Sequence, residues 1–133
     1  MNNKPIFTHP LKNGLILVCR DLSKKIAADR WYIAIQIEIA IPVEKKWLNG
    51  LSLDEGTKNR ICDTLGKEVV YLQKKERNFI SDDVKKNVLR EICENIRSIG
   101  ETYFSHEKFP GKYMLKRFTD KKGSYEISRS HSI

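Results

Sequence analysis

The chain lacks most of the short patterns that would name a reaction, and each absence closes off a class of function. Cysteine is scarce: Cys19, Cys62 and Cys93 are odd in number, widely spaced and without a C-x-x-C pair, which argues against a disulfide framework and a cysteine zinc site. They read as buried free thiols. Glycine is sparse too, and none of it builds a phosphate loop, which needs two glycines four residues apart followed by Lys and then Ser or Thr. Five residues separate Gly50 from Gly56, and Gly66-Lys67 runs into Glu68 with Ile61 where the first glycine belongs.

Metal and nucleophile signatures fail in the same way. His9, His106 and His131 are far apart, His106-Glu107 lacks the second histidine of H-E-x-x-H, and no serine sits in G-x-S-x-G. No long hydrophobic run exists: the longest apolar region contains Gln36 and Glu38, so it cannot cross a bilayer as a helix. The opening MNNKPIFTHP places a lysine and two prolines where a signal peptide would be apolar. These absences predict a soluble, cytoplasmic protein with no cofactor, no metal and no membrane partner.

What is present is a fold pattern. A chain of 133 residues buries roughly two-thirds of the surface its unfolded form exposes, and 40% hydrophobic with 32% charged residues describes a folded domain with a wet surface. The stretch WYIAIQIEIAIPV, residues 31–43, puts an apolar residue at every odd position and Tyr32, Ala34, Gln36, Glu38, Ala40 and Pro42 between them. Strict alternation predicts a half-buried strand of unusual length. Before it, IFTHPLKNGLILVCRD holds two extended runs around Asn13-Gly14, a tight-hairpin signal, with Pro10 confined to an edge.

After it, residues 44–67 read as a turn at Asn49-Gly50 and then a short helix from about Leu53. Ile61, Cys62 and Leu65 share one face of that helix, and Gly66 closes it. A second strand, 68–77, starts apolar on both faces and runs out into Lys74, Lys75, Glu76 and Arg77, after which Phe79 and Ile80 return the chain to the core. SDDVKKNVLREICENIRSIGETYF predicts a long amphipathic helix, 82–104, with Ser81 as N-cap and a stripe of Val84, Val88, Ile92, Ile96, Ile99 and Tyr103. A small helix follows, with Pro110 in its first turn and Met114 and Phe118 facing inward.

The sum is an α+β fold: an antiparallel sheet of three to five strands, covered on one face by the 82–104 helix and a smaller helix. The boundaries are a single globular domain over 1–120 and a mobile tail over 121–133.

Function classes follow from the surface. Seven basic residues against three acidic ones between 105 and 133 concentrate the excess charge at the C-terminal end. There Lys112, Lys116 and Arg117 interleave with Tyr113 and other aromatics, a combination suited to phosphate contact plus base stacking; Lys74, Lys75 and Arg77 would extend such a surface. No RNP, KH, zinc-finger or basic-zipper pattern accompanies them. On the long strand, Tyr32, Gln36 and Glu38 form the face not covered by the helix, a candidate dimer face. On a dry face Glu38 would be an acid–base candidate, whereas its neighbour Gln36 argues for a wet one. The leading expectation is a non-catalytic binding or assembly module that self-associates. Nucleic-acid binding through 108–122 is the runner-up, and an enzyme with an unrecognised site ranks third.

Overall fold

The computed structural model describes residues 5–131, and their side chains through residue 121. Among these residues the fold is α+β: a five-stranded antiparallel sheet and three α-helices. The strands are β1 (Pro5–Pro10), β2 (Ile16–Asp21), β3 (Lys24–Ala27), β4 (Arg30–Pro42) and β5 (Glu68–Ser81). The helices are α1 (Glu55–Leu65), α2 (Lys85–Ile99) and α3 (Phe109–His131). Part of the expected 121–133 tail falls within α3, and from residue 122 on it lies outside the residues whose side chains are described.

The long strand β4 organises the sheet. β2 pairs with it from Leu17↔Ile39 to Asp21↔Ile35, β3 from Lys24↔Tyr32 to Ala27↔Arg30, and β5 pairs along it as well. β1 closes the sheet as an edge against β2, which is where Pro10 with its missing N–H is tolerated. The Asn13-Gly14 hairpin is wider than a two-residue turn. Beyond Pro10↔Ile16 the Leu11 N–H still donates to the Leu15 carbonyl at 2.8 Å, Leu11 and Leu15 tuck inward, and Gly14 takes φ +92°.

Alternation along β4 does what the hydrophobic period requires: Ile33, Ile35, Ile37, Ile39 and Ile41 are all fully buried. The chain divides into two compact units, Met1–Ala40 with Val70–His106 and Ile41–Val69 with Glu107–Ile133.

In the first unit α2 lies over the odd-numbered face of the sheet. Gly100 follows α2 and allows close approach, since a Cβ there would meet Leu17 Cδ1 at 3.2 Å and His9 Cδ2 at 3.5 Å. The expected 82–104 helix is one helical segment in three geometries: a 3-10 turn at Asp82–Val84, the α-helix proper, and a π-helical turn at Gly100–Phe104. The wider last turn delays the inward position by one residue. Phe104 is buried against Tyr71 at 5.2 Å between ring centroids, and Tyr103, expected in the stripe, stays 59% exposed.

In the second unit α1 begins at Asp54, whose carboxylate accepts the Thr57 N–H at 2.7 Å, and ends at Gly66 with φ +82°. It packs on α3, and Ile61, Leu65, Leu48, Phe109 and Met114 are buried. β5 continues past its expected end at 77, and Phe79 does not return to the core: it has φ +55° and is 73% exposed.

Candidate functional site

Except at Ala34, which is fully buried, the even-numbered face of the sheet in the first unit is open. Its side chains are Ile6 and Thr8 on β1, Ile16, Val18 and Arg20 on β2, Tyr32, Gln36 and Glu38 on β4, and Leu72, Lys74 and Glu76 on β5. Ile6, Ile16 and Leu72 keep 44%, 54% and 56% of their surface, so three large aliphatic groups on one face meet water. At the centre the Arg20 Nε–H donates to Glu38 Oε1 at 3.3 Å, both side chains being about 30% exposed. Gln36 beside them is half-exposed, so the face is wet and Glu38 is ion-paired there. Tyr32 donates its hydroxyl to Glu76, and that carboxylate holds the phenol above its usual range.

Two clefts flank β5 in this unit. On the open face, a cleft of about 460 Å³ is lined by Leu22, Lys24, Ile26, Tyr32, Lys74 and Asn78. On the helix face, a cleft of about 400 Å³ lies between β5 and α2, lined by Lys75, Arg77, Val88, Glu91, Ile92 and Asn95. The alternation of β5 therefore separates the three expected nucleic-acid contacts: Lys74 belongs to one face, Lys75 and Arg77 to the other.

The other basic candidates belong to α3 in the second unit. Lys112 and Lys116 are exposed one turn apart, and Lys116 pairs with Asp120 at 3.3 Å. Tyr113 is occupied. It stacks on Phe109 at 6.3 Å, while Arg117 lies over its ring and donates to its hydroxyl at 3.2 Å. An aromatic held between a buried neighbour and a guanidinium offers a base less free surface than the sequence pattern suggested.

Burial disfavours the thiolate form of all three cysteines. Cys19 is fully buried, and burial, reinforced by neighbouring Cys93 and opposed by Arg97, pushes its pKa up to about 12. Burial raises Cys62 and Cys93 as well. His9 lies 3.9 Å from Glu101. Among the described residues no group of three or more His, Cys, Asp or Glu could hold a metal ion, and no helix is long and apolar enough to cross a membrane.

Sequence reasoning placed Tyr32, Gln36 and Glu38 on the open face but missed Ile6, Ile16, Arg20 and Leu72. The signal was available in ILVCRD, where Ile16, Val18 and Arg20 alternate with buried Leu17 and Cys19. Glu91 and Asn95 were missed because only the tertiary fold sets them opposite β5. The fold and this face define an α+β chain with an open-faced antiparallel sheet. Comparison with protein-family models, curated proteins and solved structures finds no match to it.

Proposed function

We propose that the chain is a non-catalytic assembly module that forms a two-fold homodimer through the open face of its sheet. The observation that carries this reading is the arrangement of that face: exposed Ile6, Ile16 and Leu72 around a central Arg20–Glu38 pair. Solvent-exposed aliphatic groups gathered on one sheet face gain free energy when covered. A second copy is the favoured occupant because the central charges are self-complementary. A two-fold axis through the face sets each Arg20 against the partner's Glu38, so that the two central charges remain paired in the interface.

Size-exclusion light scattering over a range of concentrations, with absorbance at protein and nucleic-acid wavelengths, tests the reading. The wild type is expected to run as a dimer that Ile16→Lys with Leu72→Lys converts to a folded monomer. Arg20→Glu is expected to weaken the dimer and added Glu38→Arg to restore it; because the pair also forms within one chain, the melting temperature of the single variant is measured alongside, and an unchanged value assigns the loss to the interface. A wild type monomeric at every concentration overturns the proposal. So does a monomer carrying salt-releasable nucleic acid, an outcome that would move attention to Lys112, Lys116 and Arg117.

A further inference from the structure

The inward face of β5 contains a mismatch. Tyr71 meets the core, yet the same face continues as Gln73, Lys75 and Arg77, while α2 opposite still presents Val88 and the nearly buried Ile92. A sequence selected for packing alone would set apolar residues against that apolar stripe, and breaks in such consistency concentrate at functional sites. Lysine and arginine stems can cover apolar surface, but here they leave a cleft of about 400 Å³ open, a volume within the usual range for small-molecule sites.

The groups around the cleft converge by type. Lys75 and Arg77, two residues apart on one strand face, stand about 7 Å apart and supply a fork and a point charge suited to one phosphate group. Glu91 and Asn95, one helical turn apart, supply acceptors on the other wall. The side chains of Lys75 and Glu91 have no hydrogen-bond or ion-pair partner among the described residues, and Arg77 donates one guanidinium N–H to the Glu76 carbonyl at 2.8 Å. The carboxylate repels an anion from its own wall and accepts from hydroxyls, and the Val88–Ile92 floor suits the carbon face of a ring.

We infer that this cleft is a binding site for a hydroxyl-bearing phosphate monoester up to the size of a nucleoside monophosphate. The phosphate lies against Lys75 and Arg77, the hydroxyls toward Glu91 and Asn95, and the ring over Val88 and Ile92. The site lies on the face opposite the proposed dimer surface, so it stands or falls independently of that reading.

Calorimetric titration of the full chain with ribose 5-phosphate and with adenosine 5′-monophosphate tests the inference, with ribose, inorganic phosphate and a single-stranded RNA oligomer as comparisons. Saturable binding of at least one monoester is expected, weakened at least tenfold in Lys75→Gln and in Arg77→Gln. Glu91→Gln is expected to reduce the preference for the ester over inorganic phosphate. These side chains are exposed or half-exposed, so the variants should keep the wild-type melting temperature, which is measured alongside. No saturable binding up to millimolar ester overturns the inference. The same holds if inorganic phosphate binds as tightly as either ester, if the variants bind unchanged, or if the RNA oligomer outcompetes both monoesters.

Discussion

Gly111 shows how little room a single residue can leave. A Cβ built on it would stand 2.0 Å from the Trp47 carbonyl oxygen, a backbone atom that cannot swing aside. Gly111→Ala is therefore expected to cost at least about 1–3 kcal/mol as an overpacked contact. That lowers the melting temperature by several degrees, whereas Gly56→Ala, whose Cβ would meet Asp54 Oδ1 at an ordinary 3.5 Å, should leave it unchanged or raise it. Equal melting of the two variants would show that the second unit yields at Trp47. Cys19 illustrates the electrostatic side of burial. Its thiol titrates near 9 when unfolded and near 12 in the fold, so the fold holds the proton more tightly. The resulting stabilisation is complete below about pH 9 and is lost as pH rises toward 12. The stability advantage of wild type over Cys19→Ala, followed by denaturant unfolding, should shrink across that window; a constant difference would contradict it.

At the scale of elements, local signals acquire tertiary duties. Asn13 reads in sequence as half of a tight turn, and it does cap the hairpin loop, its Oδ1 accepting the Leu15 N–H at 3.1 Å. Its amide group also donates to the carbonyl oxygens of Phe104 at 2.8 Å and His106 at 3.2 Å, joining the β1–β2 loop to the end of the helical segment. The π-helical turn at Gly100–Phe104 leaves carbonyls that need such partners. Asn13→Ala is expected to destabilise the protein by about 1–3 kcal/mol in urea unfolding. Asn13→Asp should be no better, because it keeps the turn acceptor but turns an oxygen toward two carbonyls. A wild-type unfolding midpoint for Asn13→Asp would assign the residue to the turn alone.

For the whole molecule, the open sheet face and the β5–α2 cleft make separable demands. An interface built on aliphatic groups keeps its driving force in salt, and the half-exposed Arg20–Glu38 pair, 3.3 Å apart and covered at its centre, is screened little. The dimer is thus expected to survive half-molar salt in light scattering, with only a modest shift in its concentration dependence; complete dissociation would mean that charge, not apolar contact, holds it. Ester binding at Lys75 and Arg77 should instead weaken steadily with salt.

Much of the architecture was legible because it rests on period and on local chemistry. The isoleucine alternation of β4, the Gly66 end of α1 and the inward Ile92 and Ile96 of α2 each follow from spacing along one element. Tertiary structure alone decided how far β5 runs, that the helix ends in a π-turn which exchanges Tyr103 for Phe104, and that Leu72 stays in water. The candidate sites divide in the same way. Tyr32, Gln36 and Glu38 share a strand, so alternation found them, whereas Arg20 joins Glu38 across a strand pair and Glu91 and Asn95 face Lys75 and Arg77 across a helix–sheet gap. Periodicity fixes which face of an element a side chain occupies, but only the packed chain fixes what lies opposite.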